Sequence, residues 1–478
     1  MNRVIILVGL LVVAGALLLL GSTSIPETWS STSPVSPPPD PGSEGAPSLA
    51  YTTAHGSDAP DASVNWTHVI QVAEGAAYQG PWRMNESDFR YVDAPAVAVD
   101  PEGRVAVAWV DQSRRDVIFQ RFDSQGEPVL PDPVNVSATP DVFSWLPRVV
   151  LDRTDEGIVY LLWQEIVFSG GSHGGEIFFA RSEDGGQSFS PPVNLSNTPA
   201  GAGKGRLTPQ SWHNGSLALA QGPDGILYSV WTEYEGALRV RRSVDQGRTW
   251  EEPVQVAGDH APARGPALAV GPGGAVWLAW TVGEDPQADI HLVRSTDGGR
   301  TFSSARLVQG PGHADAPTLA VDDEGTIHLA YAEAPEGPDS GYSIRYLRLN
   351  SDMEELDEPR TLDPPRSHAG PGGGFPVLTL DGDDNPWILW DLFPGPRERP
   401  LGLALAGSVD GGESISVPTL VPGTADQELG FSGSLQGLFM RKLAISQNGR
   451  LAVVHGTFNP GERSRIRLHL GEISSAAQ

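Results

Sequence analysis

Apolar and polar positions alternate along this chain in short runs, and glycine, proline and aspartate cut the runs apart. A period of two puts one face of each run against a core, which predicts β-strands. Pro317-Thr-Leu-Ala-Val-Asp322 and Pro266-Ala-Leu-Ala-Val-Gly271 are such runs, and comparable ones open at Pro95, Pro147 and Pro376. A turn follows each, then a second alternating run that ends in an aromatic. Counting six residues on from the turn glycine leads from Gly103 to Trp109, Gly157 to Trp163, Gly225 to Trp231, Gly274 to Trp280 and Gly325 to Tyr331. The same count leads from Gly449 to His455, and one more unit keeps Trp390 with Asp384 at the glycine position. These seven units repeat at roughly 50–70 residues, the length of one four-stranded propeller blade. Aromatics that recur at one position of a repeat are expected to pack between blades and not to hold a ligand.

Each unit runs on into a third strand, and four of them then carry the same polar stretch. It reads SEDGGQSF at 182–189, SVDQGRTW at 243–250, STDGGRTF at 295–302 and SVDGGESI at 408–415. Glycine supplies a positive φ for a hairpin turn, and the Ser and Asp oxygens can satisfy the turn's own N–H groups. The closing aromatic is placed to tuck under the turn. The stretch resembles the Asp-box of the sialidase (neuraminidase) superfamily and related propellers. That resemblance implies a β-propeller in which the boxes are structural hairpins, remote from the ligand face. Sialidase enzymes have six blades; seven units resemble other Asp-box propellers. Units one and five keep the hairpin position without the motif.

The last unit runs out of chain after its third strand, at 465–470. Trp66 stands five residues before Gln71-Val72-Ala73, just as Trp250 stands five residues before Gln255-Val256-Ala257, where a fourth strand follows the box. Residues 64–73 are therefore expected to be a detached fourth strand that closes the ring and leaves no free edge. The fold class expected is all-β: a seven-bladed propeller with Asp-box hairpins, closed by an N-terminal strand, behind an N-terminal hydrophobic segment.

Composition narrows the function. The chain has 478 residues, a formal charge of −27 and no Cys. An acidic surface does not suit nucleic acid, and thiol catalysis, disulfides and cysteine metal sites are excluded. Residues 1–24, apolar from Val4 to Leu20 behind Arg3, read as a signal peptide or signal anchor. Residues 25–60 read as a Pro/Ser-rich disordered linker, and residues 61–478 as the propeller. The propeller is then extracytoplasmic, secreted or anchored to a membrane. Five Asn-x-Ser/Thr sequons, at Asn65, Asn85, Asn135, Asn194 and Asn214, matter in a host that glycosylates.

The ligand face that the resemblance implies joins strand two to three and blade to blade. Acids stand near the ends of several second strands: Asp111, Glu165, Glu233, Glu333 and Asp391. The blade connections add Trp145, Arg148, Trp212, His213, His260, Arg264, His313, Asp315 and His368. The candidate mouth is Arg148, Glu165, Trp212, His213, Glu233, Arg264, Glu333 and Asp391, suited to a glycan or a protein surface. Acids at strand ends also simply pair with neighbouring Arg. No His pair at metal spacing occurs. Asp381-Gly-Asp383-Asp-Asn385 lacks the glycine and terminal Glu of a calcium loop, so no metal or cofactor is expected.

Sialidase chemistry, as the resemblance implies it, needs three Arg, a Tyr–Glu nucleophile pair and an Asp. Arg264-Gly-Pro266 fits the first Arg, and Asp289 the acid, but too little chain remains downstream for the others. Asp93 stands where the first unit would need that Arg, and Tyr234 beside Glu233 points to the opposite side of a strand. The favoured reading is a binding or scaffold module. The alternatives are a glycoside hydrolase, including a diverged exo-sialidase, and a subunit of a membrane complex.

Overall fold

The computed structural model describes residues 62–474 except 82, 84, 168–174, 199–216, 234–235, 260, 284–287, 310–312, 335–336, 338–340, 366–369, 371, 396–397 and 433–440. The expected N-terminal segments, 1–24 and 25–60, lie outside the described residues, as do Trp212, His213, His260 and His368. The rest forms seven antiparallel blades. Blade 1 runs Val92–Val99, Val105–Asp111, Asp116–Phe122 and Val134–Asn135. The innermost strands of blades 2 to 7 are Ser144–Leu151, Leu217–Gln221, Ala263–Val270, Ala314–Val321, Gly372–Leu380 and Leu443–Ile445. Each innermost strand touches the next, and the seventh touches the first, so the ring is closed.

The closing pair is the expected one. Ser63–Ala76 is the outer strand of blade 7 and runs antiparallel to Arg463–Ser474, with His68 opposite Leu470 and Glu74 opposite Arg465. Two ends of one chain share a sheet, and no blade is left with an unpaired neighbour.

The core lies between blades. Trp109 packs with Val454, Ile466 and Leu468 of blade 7, Trp280 with Tyr228 and Val240 of blade 3, and Trp390 with Ala330 and Ile344 of blade 5. All six column aromatics are buried. A sheet covered on both faces has near-continuous buried strands, and that is why the second strands read Val-Ala-Val-Ala-Trp or Val-Tyr-Leu-Leu-Trp instead of alternating strictly.

The prolines correct one expectation. Innermost strands do not open at proline; they begin three or four residues earlier, at Val92, Ser144, Ala263, Ala314 and Gly372. Proline has no N–H to give the ladder, and the strand absorbs the gap as a β-bulge instead of ending. The register slips between Asp93 and Ala96, Trp145 and Arg148, Arg264 and Ala267, Asp315 and Thr318, and Gly374 and Val377. In all five the residue before proline is left-handed: Ala94 (φ 49°), Leu146 (54°), Gly265 (55°), Ala316 (56°) and Phe375 (53°). Only glycine adopts that conformation without strain.

The Asp-boxes share one hydrogen-bond scheme. In residues 408–415 the Ser408 hydroxyl donates to Asp410 Oδ1 (2.7 Å) and accepts from the Gly412 N–H (2.9 Å). Asp410 Oδ1 accepts the Ser414 N–H (2.9 Å), and Oδ2 accepts its hydroxyl (2.6 Å). The scheme repeats around Asp184, Asp245 and Asp297. The boxes also wedge blades together. A Cβ on Gly186 would meet Phe119, and one on Gly412 would meet the Tyr346 hydroxyl, each on the preceding blade. The closing aromatics do not tuck under their own turns alone: Phe189 meets Phe119 and Trp250 meets Phe179, edge to face at 5.3 and 5.0 Å. Units one and five replace the box with a simpler turn, in which Asp123 or Asn350 accepts two backbone N–H groups. Asp410→Ala is expected to lower stability by about 1–2 kcal/mol through the lost turn bonds. Urea unfolding checks this; an unchanged midpoint would show that the box carries no stability.

Candidate functional site

An antiparallel meander sends the turns between strands one and two, and three and four, to one end of the ring. The joins from strand two to three and from blade to blade lie at the other. The boxes occupy the first end, and the described candidate residues the second. The five bulges set the upper rim of the channel there. The residues two before proline are Asp93, Trp145, Arg264, Asp315 and Gly374, and the residues just after it, one level down, include Arg148 and Thr318.

Arg264 and Asp315 come together across blades 4 and 5, at 3.3 Å, with Asp315 also accepting the Thr281 hydroxyl at 2.9 Å. Arg148 is buried and donates from Nε to the Leu217 carbonyl of blade 3 (3.2 Å) and from Nη1 to the Leu146 and Pro147 carbonyls. Glu333 is buried against Arg345 (2.9 Å), and Glu233 is half-buried against Arg239 (3.3 Å). Burial pushes Glu233 up, and Arg239 pulls it back. Blade 4 pairs Asp289 with His291 (2.8 Å), whose ring stacks on Trp280 at 5.7 Å. Asp391 is fully buried in an ion pair with Lys442. It therefore joins blade 6 to blade 7 and does not line the mouth, because its shorter spacing from Trp390 turns it into the sheet.

Glu165 differs from these. It is buried, with no cationic partner among the described residues, and accepts the Trp163 indole N–H (2.9 Å) and the Thr139 hydroxyl (2.8 Å). Burial raises its pKa, the two hydrogen bonds oppose the rise, and Asp116 adds to it. Glu176 stands directly opposite Glu165 on the next strand.

Two features were not found from sequence. The first has a visible signal: Val-Asn-x-Ser-x-Thr occurs at 134–139 and again at 193–198. In the first copy Asn135 and Ser137 donate to Asp116, at 2.6 and 3.0 Å. In the second, Ser196 and Thr198 donate to Glu176, at 2.5 and 2.8 Å. The sequon serines of Asn135 and Asn194 thus serve buried carboxylates. The second is Arg399, which no motif marks. It comes from blade 6, lies over the Phe431 ring at 4.8 Å, and is exposed. Burial pushes Arg399 down, while Asp93 and Tyr91 of blade 1 hold it up.

Among the described residues, no three His, Asp or Glu side chains meet in a way that could hold a metal ion. Three of the described arginines at this end, Arg148, Arg264 and Arg399, come from three blades, and each has protein partners of its own.

No family model matches the chain, and no curated protein matches it. Solved structures do. An ulvan lyase of polysaccharide lyase family PL25 superposes with a TM-score of 0.51 at 13% identity, covering 85% of this chain and 96% of that one. The chain has an all-β, seven-bladed propeller fold with Asp-box hairpins. Polysaccharide lyase Uly1 gives a TM-score of 0.50 at 12% identity over 86% of this chain and 100% of that one. The NanB sialidase from Streptococcus pneumoniae gives 0.46 at 12% identity over 76% and 71%. At such identities the shared property is the fold.

Proposed function

We propose that this chain is an exported propeller, secreted or held at a membrane by residues 1–24, that binds a glycan at its channel mouth without cleaving it. The observation that carries the reading is the state of the mouth carboxylates. Glu233, Glu333 and Asp315 each have a cationic partner. Acid–base chemistry on a glycosidic bond needs two carboxylates free to exchange protons with substrate or water, and a carboxylate in an ion pair is a poor proton carrier. Charged and aromatic groups spread around a concave rim, with Arg399 exposed among them, suit recognition of hydroxyl-rich sugars. A protein ligand, and a place in a membrane complex, are the remaining binding readings.

One observation favours a second reading, an enzyme acting on a polysaccharide: Glu165 is buried, has a raised pKa and faces Glu176. One of the lyases that share the fold, an ulvan lyase, is described as bound to a -[GlcA(1-4)Rha3S]- repeat.

The test uses the purified full chain against neutral and uronate-containing polysaccharides and a sialoside reporter. Binding of a neutral glycan is expected, with no reducing ends, no unsaturated uronate and no release of sialic acid. Arg399→Ala should weaken binding by at least about tenfold with an unchanged melting temperature, as for a contact at an interface centre. Turnover abolished by Glu165→Gln would replace the binding reading with the enzymatic one.

A further inference from the structure

Blade 6 has a bare rim. The residue two before proline is Asp93, Trp145, Arg264 or Asp315 on blades 1, 2, 4 and 5, and Gly374 on blade 6. Gly372, Gly373 and Gly374 run on without a side chain, and none has a positive φ, so the backbone conformation does not demand glycine there. Space demands it. A Cβ on Gly373 would stand 2.7 Å from the Trp390 ring, and one on Gly374 would stand 3.0 Å from the edge of Phe393. Gly374 is opposite Asp391, and Phe393 follows two residues later on the same face of the strand, so its ring lies against the bare backbone.

Phe375 stands at the edge of this gap. It precedes Pro376 in the left-handed conformation, at φ 53°. Ala94, Leu146 and Ala316 take the same conformation at the same position and are buried. Phe375 is the aromatic one of the set, and it is half-buried; its ring is 6.2 Å from that of Phe393, which is half-buried too. A bulky residue at positive φ is strained, and strain of this kind gathers at ligand sites. Arg399, on the join that leaves Phe393, is exposed and lies over the Phe431 ring at 4.8 Å. The rim is thus charged at Asp93, Arg264 and Asp315, and on blade 6 it offers two uncharged rings with a guanidinium on the same join.

We infer that the blade 6 rim is the sugar-stacking subsite of the mouth: the Phe375 ring takes the C–H face of one neutral pyranose, and the bare backbone at Gly374 leaves room for it. The subsite rests on the glycan-binding reading of the mouth and narrows the ligand to a neutral sugar with a C–H face. The face of an aromatic ring is electron-rich, so it meets slightly positive C–H groups better than a carboxylate or a sulfate. β-Linked glucose and galactose both present such a face. Glycine in a strand marks a place where a ligand approaches the backbone closely. Arg399 is the polar group that then donates to hydroxyls at the edge of the sugar and fixes its orientation.

The experiment is calorimetric titration of the full chain with cellohexaose, galactohexaose and trigalacturonate, beside thermal melts and NMR saturation transfer from the aromatic protons. At least one neutral hexaose is expected to bind, with saturation reaching its ring C–H protons, and trigalacturonate to bind at least about tenfold more weakly. Phe375→Ala and Phe375→Leu should each weaken the hexaose by at least about tenfold and abolish the saturation transfer, with no fall in melting temperature. Both should fold, because Ala94, Ala316 and Leu146 already hold this position on other blades; should one not fold, the other decides. Phe375→Tyr keeps the ring face and should keep the affinity within about threefold. Hexaose binding that is equal in the Ala or Leu variant overturns the subsite and leaves the glycan-binding mouth standing. Tighter binding of trigalacturonate than of either hexaose overturns it in favour of an acidic sugar. Binding of none of the three to the unmodified chain overturns the glycan-binding reading, and the subsite with it.

Discussion

Replacing Lys442 with methionine is expected to destabilise the propeller by about 3–5 kcal/mol, the cost of leaving a buried charge without its partner. Lys442 is one of two lysines in the chain, and with Asp391 it forms an ion pair 2% and 0% exposed where blade 6 meets blade 7. Burial pushes the Asp391 carboxyl up, and Lys442 pulls against it. Without Lys442 nothing opposes the effect of burial, so Asp391 would take up a proton. A raised carboxyl pKa costs nothing at low pH and costs more as pH rises through the folded-state value. The loss in Lys442→Met is therefore expected to be larger at neutral pH than near pH 4. Removing both charges, as in Asp391→Leu with Lys442→Met, should recover most of it, since an apolar pair of similar volume needs no desolvation. Urea unfolding of the two single variants and the double variant measures the coupling. A single-variant loss below about 1 kcal/mol would mean that the pair behaves as an exposed one.

Acid should open the ring at the same blade. His455 and His469 are 1% and 0% exposed, with ring centres 6.2 Å apart. Among the described residues, neither ring has a hydrogen-bond partner. The charged groups that act on them are Lys442 and Arg467, both cations, and beyond Lys442 its partner Asp391. Burial, with Arg467 adding to it, lowers His469 to about 4, and burial drives His455 well below its ordinary value. Both histidines are thus folded in neutral form. For a pKa depressed on folding, stability is intact above the unfolded value and is lost as pH falls towards the folded one. The unfolded value is near 6.5, so the window opens there and closes near pH 4 for His469. His469 alone accounts for about 3 kcal/mol over that window, of which about 2 kcal/mol falls between pH 7 and pH 5, before most carboxylates titrate. Because His469 sits on the strand that pairs with Ser63–Ala76, and its ring meets Trp66 at 6.3 Å, the closing strand should loosen first. Unfolding free energies at pH 7 and pH 5, for the parent chain and for His469→Leu with His455→Leu, test this. An equal pH dependence in the variant would assign the acid loss to other groups.

The fold was legible because a repeat multiplies a weak local signal. A single S-x-D-x-G-x-T-[WF] is a polar turn, but four copies in phase with an aromatic column define blades and their count. The matched spacing after Trp66 and Trp250 located the closing strand, since strands in equivalent places bury equivalent faces. Proline was the misleading mark. The alternating runs open at it in the sequence, whereas the strands begin three or four residues earlier and a bulge accommodates it within them. Which candidates share a site could not be obtained in this way. Arg264 and Asp315 are far apart in the chain and meet only because two bulges fall at the same height on adjacent blades. Asp391 differs from Glu333 by one position relative to the column aromatic, and that step takes it out of the mouth and into an ion pair with Lys442.

By itself, then, the order of residues determined the all-β class, the seven blades, the box hairpins and the N-terminal closure. All of these depend on periodicity and on contacts that recur in every unit. Only the tertiary structure decided which carboxylates are neutralised and that Glu165 stands apart from the paired acids. Those outcomes depend on the distances between groups on different blades. Coulomb and desolvation energies change steeply with such distances, and nothing in the spacing along one chain encodes them.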